Sequence, residues 1–222
     1  MASLTLQTVT FNIRYDCGLD GTNNFCFRKE HILQTIQNRQ PDVIGFQEVL
    51  PHVMKWLQEN LTQYHVVGCG RGSHYDDEHM VIAYRKDRFD LFALDTFWLS
   101  PTPFIPGSRY ENQSMNPRTC VCATLKEKNF SQPFRVYVTH LDDQGVTARC
   151  QGISQVLHRM EEDRTHLPMP AILMGDFNAH PEDEELIRVK SLPYLRDITT
   201  GFSHTFHGFG DSSAFEKIDY IF

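Results

Sequence analysis

Along this chain, short apolar runs keep stopping at a polar side chain, and no other feature limits the possible folds as strongly. Ala171, Ile172, Leu173 and Met174 lead into Gly175, Asp176, Phe177 and Asn178. The same break occurs at Phe11-Asn12-Ile13-Arg14, at Gln47-Glu48 closing DVIGFQEV, and at His140 after FRVYVT. Asp219 interrupts the last run, KIDYIF, and Glu78 stands just before Met80-Val81-Ile82-Ala83-Tyr84. Short runs rich in β-branched and aromatic residues suit buried strands. A carboxylate, amide or imidazole at such an end falls at the edge of a sheet, where several strands can share one pocket.

Strands are expected over 3–12, 42–47, 64–68, 79–85, 91–98, 119–125, 134–140, 171–175 and 217–222. Helices are expected over 28–39, 51–61, 145–165 and 182–190. In the second helix Val53, Trp56, Leu57 and Leu61 make one apolar stripe, and Pro51 fits its first turn. In the third, Ile153, Val156, Leu157 and Met160 repeat that spacing opposite Arg159, Glu161 and Glu162. The proline-rich stretch 99–118 reads as a long loop inside the domain, because strand signals resume directly after it. Strands alternating with helices imply an α/β domain with helices covering the sheet faces.

The 222 residues suit one large domain or two small ones, and 41% hydrophobic residues allow a sizeable core. A net charge of −7 lacks the basic excess of a general duplex-DNA binder. It leaves room for an anionic substrate, since a bound cation and local arginines can reverse the field in a cleft. No apolar run approaches the roughly 18 residues of a membrane span. The start, MASLTLQTVTF, lacks the basic-then-apolar pattern of a secretory signal. Cysteines at 17, 26, 69, 120, 122 and 150 form no C-x-x-C pair, which favours reduced thiols in a cytoplasmic protein. Cys120 and Cys122 fall on one face of their strand.

Singly, each polar end has a plain explanation: Asn12 as a turn former, Glu48 as a cap for the next helix, His140 as a satisfied core histidine. His204 and His207 in GFSHTFHGFG suit either a pocket wall or a surface loop. The combination and order of the polar ends are specific.

The stretches TFNIR (10–14), PDVIGFQEV (41–49), Glu78 to Arg85, NPRTCVCATL (116–125), VTHLDD (138–143), ILMGDFNAHPED (172–183) and KIDYIF (217–222) resemble the endonuclease/exonuclease/phosphatase superfamily, of deoxyribonuclease-type fold. TFWLSPTP and THLDDQGVTAR also look like an uncharacterised hydrolase subgroup within it. The superfamily includes nucleases, deadenylases, sphingomyelinases and inositol-phosphate phosphatases. The resemblance implies a two-sheet sandwich with helices on the outer faces, a four-layer α/β/β/α arrangement spanning 1–222 as one domain. It implies a magnesium-dependent phosphoester hydrolase, with manganese as a substitute, acting on a phosphorylated small molecule or nucleic acid. No obligate protein partner is evident. Glu48 looks like the principal metal ligand, with Asn12 beside it. Asp176 would orient or deprotonate the attacking water, and Asn178 would hydrogen-bond that water or a phosphate oxygen. His140 would donate to the phosphate or leaving group, with Glu78 fixing its tautomer. Arg118 looks like the phosphate-clamping arginine, and Arg14 is a further substrate-binding candidate.

Two departures from the pattern stand out. Many nucleases of the superfamily carry a carboxylate where this chain has Arg14, so one metal ligand is lost. The family also ends with a Ser-Asp-His stretch beyond the Asp matched by Asp219, whose partner histidine has no counterpart in this chain. The C-terminal end is therefore expected to be missing from this sequence. A catalytically inactive relative that binds a phosphorylated ligand or a protein partner is the alternative.

Overall fold

Residues 4–130 and 132–222 are described by a computed structural model of the chain, and the statements that follow concern them. The elements are β1 (Thr8–Asn12), α1 (Phe25–Arg39), β2 (Val43–Val49), α2 (Pro51–Asn60), β3 (Tyr64–Gly70) and β4 (His79–Arg85). They continue with β5 (Phe89–Trp98), β6 (Thr119–Glu127), β7 (Phe134–His140), α3 (Val146–His166), β8 (Ala171–Asp176), α4 (Glu184–Lys190) and β9 (Asp219–Ile221). The strand expected over 3–12 begins at Thr8, and residue 3 lies outside the described residues. Residues 99–118 form a loop, as the prolines require.

Two sheets form, one of four strands in the order β1-β2-β4-β3 and one of five in the order β5-β6-β7-β8-β9. Strand alternation sorts the apolar residues into three layers. Val43, Ile82, Val121, Val138 and Met174 pack between the sheets. Ile44 and Phe46, on the other face of β2, meet Ile32 and Ile36 of α1 and Val53 and Leu57 of α2. Cys120, Cys122 and Tyr137 face outward from the second sheet onto Ile153, Val156 and Met160 of α3 and Leu186 of α4. The result is a four-layer α/β/β/α sandwich. All six cysteines are free thiols. No helix among the described residues is long and apolar enough to cross a membrane.

Strand direction gathers the polar ends. β1 and β2 run parallel and end together at Asn12 and Gln47. β4 runs against β2 and β3, so its first residue, His79, pairs with Val49 and with Gly70. The end of β3 and the start of β4 therefore share the edge that holds Asn12 and Glu48. In the second sheet β7 and β8 run parallel, with His140 beside Asp176. β9 runs against β8, so Asp219 pairs with Asp176. β6 runs against β7 and places Thr119, next to Arg118, at the same edge.

Candidate active site

All nine residues singled out in the sequence line one cavity of about 1420 Å³ at that edge: Asn12, Arg14, Glu48, Glu78, Arg118, His140, Asp176, Asn178 and Asp219.

Asn12 joins the two sheets by donating Nδ2–H to Glu48 Oε1 at 2.8 Å and to Asp176 Oδ2 at 3.0 Å. Its Oδ1 accepts the Arg14 backbone N–H at 2.9 Å. Glu48 sits at an irregularity of the β2–β4 ladder with φ +62, and it accepts the Tyr15 N–H rather than capping α2. A left-handed glutamate is uncommon, and such outliers concentrate at functional sites. Asp176 Oδ1 accepts the Asn178 N–H at 2.9 Å, a local turn that suits an asparagine at φ +46. Burial, then the Asp219 charge, pushes the Asp176 carboxyl up to about 8 against the Asn12 hydrogen bond, and Glu48 adds to the rise. Burial and Glu48 push Asp219 up to about 6.

Beside these carboxylates stand Arg118 and His140, whose Nε2 lies 3.8 Å from Asp176 Oδ2. Arg118 is buried; its Nη2 donates to Asp143 at 2.8 Å, while Nε and Nη1 have no hydrogen-bond partner. His140 is buried as well, and burial, followed by the charges of Arg118 and Arg71, holds its ring well below the usual histidine range, hence neutral. Asn178 Nδ2 lies 3.0 Å from both the Leu141 carbonyl and His140 Nε2. Donation to the carbonyl assigns that nitrogen as the amide NH₂, so Nε2 accepts and the ring proton resides on Nδ1. That buried Nδ1–H also lacks a partner.

The expected hydrogen bond from Glu78 to His140 is not formed. Arg71 Nη2 holds Glu78 Oε1 at 2.8 Å, and Arg71 Nε holds Asp77 at 3.1 Å. Burial pushes Glu78 up to about 7 in spite of Arg71. Arg14 reaches the cavity, but its guanidinium forks onto Asp20 through two 3.0 Å hydrogen bonds.

Sequence reasoning missed Arg71. It directly follows β3, so the rule that found the other polar ends applies to it, but the strand was expected to stop at 68 rather than at Gly70. Asp142 was also passed over. It accepts from the backbone N–H of Ser114 and Gly145, and its Oδ1 lies 3.5 Å from Arg118 Nε, so it fastens the loop carrying Arg118 to the start of α3.

The donor set fits a divalent cation. Glu48, Asp176 and Asp219 repel one another in a buried pocket and offer only hard oxygen donors, which suit Mg²⁺ or Mn²⁺. Among the described residues, no group of three or more His, Cys, Asp or Glu side chains is placed to hold a metal ion. Magnesium needs none, because it keeps several waters and binds through one or two carboxylates.

Comparison with known proteins bears on the family and the fold. The Endonuclease/Exonuclease/phosphatase family model matches residues 9–222. The solved endonuclease/exonuclease/phosphatase of Bacteroides vulgatus is 29% identical, with TM-score 0.90 over 97% of this chain and 85% of that one. A mannosyl-6-phosphatase of Bacteroides thetaiotaomicron is 31% identical, with TM-score 0.91 over 98% of this chain and 84% of that one. Comparison with curated proteins gives no match. A family match over nearly the whole chain, on a fold whose strand ends converge as described, means that this chain belongs to the Endonuclease/Exonuclease/phosphatase family.

Proposed function

We propose that the chain is a magnesium-dependent phosphoester hydrolase using in-line attack by water, with small phosphorylated molecules as its substrates. One observation carries the reading: Arg118 and His140, whose buried Nη1 and Nδ1 find no hydrogen-bond acceptor among the described residues, line one cavity with the carboxylates of Glu48, Asp176 and Asp219. Buried donors without acceptors suit phosphate oxygens, and clustered carboxylates suit a divalent cation. The 31% likeness to a mannosyl-6-phosphatase supports a phosphomonoester, and the net charge of −7 supports a small substrate over duplex DNA. A cytoplasmic location fits the six free cysteines.

In this reading Glu48 is the principal holder of Mg²⁺ (Mn²⁺ as substitute), with Asn12 beside it. When bound, the cation offsets charge on the phosphate and makes the attacking water more acidic. Asp176 orients that water and accepts its proton. Asn178 holds His140 in the Nδ1–H tautomer and leaves its own Oδ1 to steady the water. Arg118 and the neutral His140 donate to the phosphate oxygens as charge builds on them. Asp219 stands opposite Asp176 in the β8–β9 ladder, and Glu78 anchors Arg71 at the cavity. Arg14 contacts substrate by releasing Asp20.

The test is hydrolysis of a generic phosphomonoester and a generic phosphodiester, with Mg²⁺ and with chelator, by wild type and Asp176→Asn. Metal-dependent turnover that drops at least ~10²-fold in the variant supports the assigned roles. Equal rates for the two proteins, or full activity in chelator, reject them. Phosphate binding with no turnover of either ester identifies a catalytically silent relative instead.

A further inference from the structure

The stretch GFSHTFHGFG, residues 201–210, takes no part in the chemistry above, yet it lines the same cavity. Phe202, Phe206 and Phe209 border that cavity while remaining 62%, 44% and 43% exposed. A phenylalanine side chain gains from being taken out of water. Three left open on the lining of one cavity mark a face kept for a ligand.

This wall is held in place. The backbone N–H groups of Thr205 and Phe206 donate to the Glu216 carbonyl at 2.8 and 2.9 Å, and Glu216 N–H donates back to Phe206 at 3.2 Å. Thr205 Oγ1 accepts from the N–H of Ile218 at 3.1 Å and of Asp219 at 3.0 Å, which ties the loop to the start of β9. Phe209 adopts φ 58 and ψ 33, a left-handed conformation that is unfavourable for an aromatic residue. Its ring lies 5.8 Å from the Arg28 guanidinium carbon, and Arg28 donates to the Ile13 carbonyl at 2.8 Å. A strained aromatic clamped under a cation is a preorganised surface, not a loose one.

We infer that the loop 199–216 is the subsite for the ring of a phosphorylated monosaccharide, with Phe206 and Phe209 stacking on the ring while its phosphate lies at Arg118. This rests on the hydrolase reading above and deepens it. A sugar ring presents a face of C–H bonds and a rim of hydroxyls. The C–H face suits the phenyl rings, and the hydroxyls suit His31, His207 and Glu216, which line the same cavity. A polynucleotide would bring further phosphates against Glu216 and Asp20, on a chain of net charge −7.

The test uses the full chain with Mg²⁺ and three substrates: a hexose 6-phosphate, a nucleoside 5′-monophosphate and the ringless glycerol 3-phosphate. For Phe206→Ala and Phe209→Ala, the ratio of kcat/KM for hexose phosphate over glycerol phosphate falls about tenfold, chiefly through KM. Phe206→Tyr keeps the ratio, because it keeps the ring. An unchanged ratio in the alanine variants, or equal losses on both substrates with a lowered Tm, overturns the subsite. A wild type that prefers the nucleoside monophosphate, with the same dependence on Phe206, replaces the sugar by a base and overturns the assignment. Calorimetric titration of hexose 6-phosphate into Asp176→Asn separates this inference from the hydrolase reading. Binding that needs Phe206, beside a wild type without turnover, rejects catalysis and leaves the subsite standing. Metal-dependent turnover with binding indifferent to Phe206 does the reverse.

Discussion

Asn12 and Asp176, 164 positions apart in sequence, meet through an Nδ2–H to Oδ2 hydrogen bond of 3.0 Å. Asn12 ends a strand of one sheet and Asp176 a strand of the other. The same amide nitrogen reaches Glu48 at 2.8 Å, so one side chain holds two carboxylates that would otherwise repel. Replacing Asn12 by Ala removes both hydrogen bonds. Activity is expected to fall at least ~10²-fold, and the apparent Mg²⁺ affinity to weaken, read as the Mg²⁺ concentration giving half-maximal rate. Unaltered Mg²⁺ dependence in Asn12→Ala would show that Asn12 does not organise the cation's ligands.

Three raised carboxyls make stability depend on pH in a definite direction. Asp176, Glu78 and Asp219 stand at about 8, 7 and 6, above the ordinary carboxylate range. Folding favours their protonated forms, so their contribution is complete below that range and is lost as pH rises through 6 to 8. In chelator, Tm is expected to fall between about pH 5 and pH 8, and added Mg²⁺ to restore more of it at the upper end. Melting curves across that range check this; a Mg²⁺ effect of equal size at every pH contradicts it.

Asp176→Asn carries the same logic further. The substitution removes a carboxylate whose ionised form is disfavoured by burial and by Asp219. The metal-free variant is expected to melt at or above the wild-type temperature near pH 8 although it has lost activity. Thermal unfolding in chelator beside a turnover assay tests both halves, and a large loss of stability would assign Asp176 a structural role.

Arg118→Lys keeps the charge but not the planar fork. Nη1 has no hydrogen-bond partner among the described residues, whereas Nη2 is taken by Asp143 and Nε lies 3.5 Å from Asp142 Oδ1. A lysine offers one point charge in place of that fork. The expected loss in kcat/KM is about 10²-fold, with weaker competition by inorganic phosphate. Inhibition constants for phosphate in the two proteins decide it.

Gly175→Ala strikes the scaffold beneath the site. Gly175 has φ +154, and a Cβ there would stand 1.9 Å from the Thr139 carbonyl oxygen. That contact forces β7 and β8 apart where His140 pairs with Asp176. Destabilisation of about 1–3 kcal/mol or more is expected in urea titration, with activity falling as well. A wild-type midpoint would mean the ladder yields there at no cost.

Much of the fold was legible locally. Val53, Leu57 and Leu61 turned toward the core as their spacing required, and Cys120 and Cys122 share the outer face of β6. The misses came where pairing overrode local preference. The third strand was expected to stop at Gly68, yet Cys69 and Gly70 also pair along β4, and that extension brings Arg71 to the pocket. Arg71 then takes Glu78, which leaves the His140 Nδ1–H without the partner expected for it.

The sequence by itself determined which side chains stand at strand ends, since the length and alternation of apolar runs are local properties of the chain. Only the tertiary structure decided that two stacked sheets bring those ends to one cavity, that Arg118 and His140 stand there beside Glu48, Asp176 and Asp219, and that Asn12 bridges the two sheets. Those outcomes depend on register and sheet stacking between distant segments, and no local pattern of residues encodes them.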